Sequence, residues 1–90
     1  MVGSGTNIRV YNNLIYSQAG GAHGIEVNNN VIKAQLYNNT INKNPGYGIV
    51  VGANNVSGTV IANNIISSNG TGAINDSGTG TILRSNIESQ

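Results

Sequence analysis

Apolar and polar residues alternate along this chain over short stretches, and polar clusters of Asn, Gly and Ser keep interrupting them. Alternation over a few residues bounded by turn formers predicts short β-strands. No stretch holds a sustained 3.6-residue apolar period, and Asn, Gly, Thr and Val are poor helix formers. The pattern therefore predicts an all-β chain.

Two markers recur. An Asn-Asn pair with Ile close behind occurs as Asn12-Asn13-Leu14-Ile15, Asn38-Asn39-Thr40-Ile41 and Asn63-Asn64-Ile65-Ile66, with a degenerate copy at Ser85-Asn86-Ile87. The second residue of the pair returns after 26, 25 and 22 positions. Gly followed by apolar residues occurs at Gly24-Ile25-Glu26-Val27, Gly48-Ile49-Val50-Val51 and Gly72-Ala73-Ile74, 24 positions apart both times. Two independent markers with one shared period, in a chain of strands, predict a β-solenoid.

Each coil is expected to hold three short strands. In the third copy, Thr59-Val60-Ile61-Ala62 is one strand, Asn63-Asn64 a tight bend and Ile65-Ile66-Ser67 the second strand. Ser68-Asn69-Gly70-Thr71 turns the chain into a third strand near Gly72. A loop of variable length, Asp76 to Gly80, leads back to the start and corresponds to Asn28–Lys33 and Gly52–Gly58. The chain then forms one domain over 1–90: a flexible start over 1–5, coils at about 6–30, 31–58 and 59–80, and a partial coil over 81–90. That makes three to three and a half coils.

Period-2 alternation assigns the interior. One inward column should contain Val10, Leu36, Ile61 and Leu83, a second Ile15, Ile41 and Ile66, and a third Ile25, Ile49 and Ile74. A sharp bend needs a residue with positive φ, a conformation Asn adopts more readily than any residue but Gly. Its amide can also bond the equivalent Asn one coil away, as stacked amides do in cross-β assemblies. The fourth copy keeps only its second Asn, so the expected ladder is Asn13, Asn39, Asn64 and Asn86.

Composition narrows the functional classes. The chain has 17 Asn and 13 Gly among 90 residues, yet 12 Ile and 8 Val spread throughout argue against disorder. Without Cys there is neither a disulfide framework nor a thiolate metal site. A net charge of +1 with four scattered basic residues gives no electrostatic basis for binding nucleic acid. No apolar run approaches the roughly 20 residues that span a bilayer, so no membrane partner is expected. The start, Met1 to Gly5, does not read as a signal peptide. No metal and no cofactor are expected.

The unit Ile/Val-x-Asn-Asn-x-Ile, followed by Asn or Ser and then Gly-Ile-x-Val, resembles the parallel β-helix repeat. That repeat builds the right-handed β-helices of pectate lyases, polygalacturonases, alginate epimerases and many surface or phage-tail proteins. The likeness runs from about Thr6 to Ile87 and implies a right-handed, single-stranded parallel β-helix of the pectate-lyase-like superfamily. It implies right-handedness, which the period does not, and a parent family often secreted or displayed on cell surfaces; the compartment of this chain stays open.

The chemistry that the resemblance implies finds few residues here. Pectin hydrolases of this architecture use clustered carboxylates, and pectate lyases an acidic Ca²⁺ site with an Arg base. This chain has three acids, Glu26, Asp76 and Glu88, in different coils. His23 and Glu26 form the one candidate acid–base pair, set against their reading as a solvated turn residue and a surface acid. Their equivalents in neighbouring coils are expected to be Tyr47 and Thr71 for His23, and Val50 for Glu26. Tyr11 and Tyr37 align and should face outward, either as a carbohydrate platform or as plain cover for a strand surface. Arg9, Lys33, Lys43 and Arg84 form no run. Asn38, Asn55, Asn69 and Asn75 each begin an Asn-x-Ser/Thr sequence, which so many asparagines produce by chance.

A stub of this size should be about 17 Å long, with unpaired strand edges at both ends and no visible polar cap. These features predict a non-catalytic structural or interaction module, as a homo-oligomer joined through open ends or as part of a longer β-helix. A polysaccharide-binding segment is the alternative. A polysaccharide lyase, hydrolase or epimerase ranks third, because the acid count speaks against it.

Overall fold

The computed structural model describes residues 1–16 and 20–89. Among them there is no helix. The first circuit carries β1 (Gly5–Thr6), β2 (Arg9–Tyr11) and β3 (Leu14–Tyr16), and the second carries β4 (Ile25–Val27), β5 (Val31–Ile32), β6 (Gln35–Tyr37) and β7 (Thr40–Asn42). The third carries β8 (Tyr47–Val51), β9 (Val56–Ser57), β10 (Val60–Ala62) and β11 (Ile65–Ser67), and the last β12 (Gly72–Asp76), β13 (Ile82–Arg84) and β14 (Ile87–Glu88). Each strand pairs in parallel with its counterpart one circuit away, in the sheets β1-β5-β9, β2-β6-β10-β13, β3-β7-β11-β14 and β4-β8-β12. Isolated parallel bridges, Val2 with Val27 and Ser57 with Thr79, extend two of these sheets by a rung. The result is a parallel β-solenoid of about three turns, and its short extent of 18 Å fits the expected length.

A circuit therefore has four sides, not three. The stretches expected to be variable loops contain β5 and β9, whose Val31 and Val56 point into the core and are buried. Two-residue strands are too short to show alternation, so the sequence pattern hid them.

The predicted columns form. Leu36 lies in register with Val10 and Ile61, and Ile61 with Leu83. Ile41 pairs with Ile15 and Ile66, and Ile49 with Ile25 and Ile74. Two circuits of neighbours shield the middle members completely, leaving Leu36, Ile41, Ile49, Ile61 and Ile66 fully buried. Members on the outermost rungs stay partly open, and Leu83 is half exposed.

The glycine marker is in register only once. A Cβ on Gly24 would lie 2.6 Å from the Gly48 carbonyl oxygen, and one on Gly48 would lie 2.8 Å from that of Ala73. Close backbone approach thus explains both glycines. Gly72, however, pairs with Tyr47, one place earlier than the 24-residue spacing implied. A Cβ there would sit 2.9 Å from the Tyr47 ring, so Gly72 makes room for the ring above it. The counterpart of His23 and Tyr47 is consequently Gly72, not Thr71.

The corners share one device. Asn12, Asn38, Asn63 and Ser85 all take φ of 53–58° between the second and third sides. Lys43 and Ser68 do so at the next corner (φ 56° and 55°), as do Asn7 and Lys33 with Gly58 and Gly80 between the β5 and β6 sides. Left-handed backbone turns the chain without breaking the parallel ladder.

The last rung differs from the others. Asp76 takes the register position of the buried Val27 and Val51, and Glu88 that of Ile15, Ile41 and Ile66. Two of the inward columns therefore end on carboxylates, while the column of Val10, Leu36 and Ile61 ends on half-exposed Leu83.

Thr59 is wholly buried, and its Oγ1 has no hydrogen-bond partner. Replacing it with isosteric Val removes an orphaned hydroxyl. Thr59→Val should raise the unfolding free energy by about 1 kcal/mol in urea denaturation.

Candidate functional site

The densest polar constellation is the column of asparagines between the β2 and β3 sides. Asn13 donates from its backbone N and its Nδ2 to Asn39 Oδ1, at 3.1 and 3.0 Å. Asn39 does the same to Asn64 Oδ1 at 2.9 and 3.0 Å, and Asn64 to Asn86 Oδ1 at 3.0 Å twice. The remaining Nδ2 hydrogen reaches back one rung, from Asn39 to the Val10 carbonyl, from Asn64 to Leu36 and from Asn86 to Ile61. In the first rung, Asn13 Nδ2 turns to its own strand and donates to the Tyr11 carbonyl at 3.1 Å. All four predicted ladder residues belong to this column. Asn39 and Asn64 are almost fully buried, where an unpaired amide would be costly.

A second ladder escaped the sequence reading. Asn44 donates from N and Nδ2 to Asn69 Oδ1, both at 3.0 Å, and Asn69 Nδ2 donates to the Ile41 carbonyl at 3.2 Å. Both asparagines are buried. Their signal was present: each lies five residues after a ladder Asn. The left-handed residues before them are Lys43 and Ser68, which do not announce a bend as Asn does. On the outer surface, Asn54 donates to Asn29 and Asn55 to Asn30 through side-chain amides at 2.7 and 3.0 Å.

The tyrosines meet. The rings of Tyr11 and Tyr37 are parallel within 2°, with centroids 5.1 Å apart. Parallel rings lying edge to edge in one plane would collide at that separation, so these overlap in an offset stack. The faces they share are closed to a ligand. Tyr37's other face looks along the column toward Ala62, beyond which comes Arg84.

His23 is engaged with the neighbouring rung. His23 Nδ1 accepts the Tyr47 backbone N–H at 2.9 Å, which puts the proton of the neutral ring on Nε2. A Cβ on Gly46 would strike that same nitrogen, so the glycine makes space for the ring. Glu26 lies on β4 in register with Val50, and no hydrogen bond joins it to His23. Asp76 Oδ1 is engaged within its own turn, accepting from Gly78 N at 2.9 Å and Thr81 Oγ1 at 2.8 Å. Among the described residues, no three His, Asp or Glu side chains gather into a metal site.

No known protein family matches this chain, and no curated protein or solved structure gives a significant match.

The ladder's contribution is measurable. Asn64→Ala strips the acceptor from two Asn39 donors and leaves the Leu36 carbonyl and Asn86 Oδ1 without their Nδ2 partner. It should cost about 3 kcal/mol in chemical denaturation. Asn54→Ala, at an exposed link, should stay within about 0.5 kcal/mol. Equal effects would deny the buried ladder its stabilising role.

Proposed function

We propose that this chain is a non-catalytic structural and interaction module, a short right-handed β-helix of the pectate-lyase-like kind that self-associates through its solenoid. The observation that carries this reading is how the polar side chains are used. The buried asparagines bond rung to rung, the imidazole Nδ1 holds a backbone N–H, and Asp76 holds its own turn. Groups committed to the scaffold are not available for proton transfer, which needs a positioned acid and base within reach of one substrate atom. The unpaired strand edges of the outermost rungs supply the means of association. Multi-angle light scattering should find an oligomer at micromolar concentration. A stable monomer there would sink the self-association.

Polysaccharide binding is the second reading, favoured by the tyrosine column. Since Tyr11 and Tyr37 close their shared faces to each other, a sugar would stack on the outer faces of the pair, that of the more exposed Tyr11 and that of Tyr37 toward Ala62. Sugar rings pack their C–H faces on such aromatic surfaces. On a glycan array, Tyr11→Ala and Tyr37→Ala should each abolish any signal, because either change breaks up the stacked pair.

A further inference from the structure

We propose that the two ends of the solenoid are unequal: a second copy docks on the first rung, N-terminal face to N-terminal face, while the last rung is a cap. The proposal rests on the self-association reading above and specifies its geometry.

The inward positions of the two outer rungs differ at two places, since the last rung keeps apolar Ile74 and Leu83 but carries two carboxylates. On the first rung they are Val2, Ile8, Val10 and Ile15, all partly exposed and packed against the buried core. On the last rung, Asp76 and Glu88 stand where Val51 and Ile66 stand one rung earlier. Head-to-tail stacking would continue the columns by laying Ile15 of one copy over Glu88 of the next.

Two effects oppose each other at that junction. The ladder favours it, because Asn86 retains an unused backbone N–H and one Nδ2 hydrogen, and Asn13 Oδ1 has no donor. Desolvating two carboxylates opposes it, and costs several times what two neutral hydrogen bonds return. The carboxylates win, so the last rung resists further stacking, as charges at inward positions do on natural sheet edges.

The first rung carries no such charge. Exposed apolar side chains flank both ends, Tyr11, Leu14 and Tyr16 on the first rung and Ile82, Leu83 and Ile87 on the last, so the inward carboxylates alone tell the ends apart. The molecule is 28 × 27 Å across its two longer dimensions, which bounds the outline of a rung face. Full coverage of two such outlines would bury roughly 1,200 Å² at most, which reaches the lower bound of a standard interface. Because both partners present the same face, the contact is isologous and closes as a dimer instead of growing into a filament.

Val10 and Leu83 are the two ends of one column and make a matched test. In sedimentation velocity across the micromolar range, the wild-type chain should be a dimer. Val10→Asp should weaken it by about 30-fold or more while keeping the β-sheet circular dichroism. Leu83→Asp should leave it intact. Glu88→Ile, which restores the column, should add open-ended assemblies. Should Val10→Asp fail to fold, hydrogen exchange of the wild-type protein decides: amides of residues 9–16, and not 82–88, should gain protection as concentration rises. Dimer loss in Leu83→Asp alone, or filaments from the wild type, would overturn the choice of end and leave self-association standing. A wild-type monomer throughout would overturn both.

Discussion

Everything in this molecule depends on each rung being completed by the next. A rung alone buries nothing, since its inward Ile, Leu and Val need neighbours above and below. Leu36, Ile41 and Ile61 reach full burial only because a similar side chain lies on either side. The backbone obeys the same rule, as its N–H and C=O groups find partners one circuit away and not along the strand. Both requirements are met by a single translation, and that is why like stacks on like.

The corners carry the most exacting version of this constraint. Turning a chain through a sharp bend exposes backbone donors, and here the bend is buried against its neighbours. Asn answers both needs at adjacent positions. The first of the pair takes the left-handed conformation that a β-branched residue resists, and the second sends its amide into the gap. With Nδ2 donating to both adjacent rungs and Oδ1 accepting two bonds from one of them, Asn39 and Asn64 use their full hydrogen-bonding capacity in a dry interior. That satisfaction links the composition to the fold: a chain so rich in Asn is not simply loop-rich.

The same accounting bears on function. Apart from the Thr59 hydroxyl, the buried polar side chains are spent on the scaffold, and the few ionisable groups are dispersed among rungs by the translation that aligns the apolar columns. A repeat that superimposes equivalent positions brings together copies of one residue type, so it concentrates Asn, Ile and Tyr, not an acid with a base. The proposed role as an interaction module is our reading of that geometry. The repeat also departs from itself: Asp76 and Glu88 interrupt columns that no functional constraint within the core would interrupt.

The sequence by itself determined the strand-and-turn character, the circuit length, the three apolar columns and the Asn13–Asn39–Asn64–Asn86 ladder, because each is a local pattern repeated at one spacing. It concealed the fourth side, the second ladder at Asn44 and Asn69, and the register of Gly72. β5 and β9 are two residues long, Lys43 and Ser68 are not bend formers by propensity, and the extra residue at Thr71-Gly72, visible in the 25-residue step from Ile49 to Ile74, did not say which residue Gly72 would face. The offset stack of Tyr11 and Tyr37 and the bond from the Tyr47 backbone N–H to His23 Nδ1 likewise belong to the tertiary structure. So do the carboxylates that end two columns. What a side chain faces is set by the rung beside it, some two dozen residues away in the chain, and only the assembled solenoid fixes which residue that is.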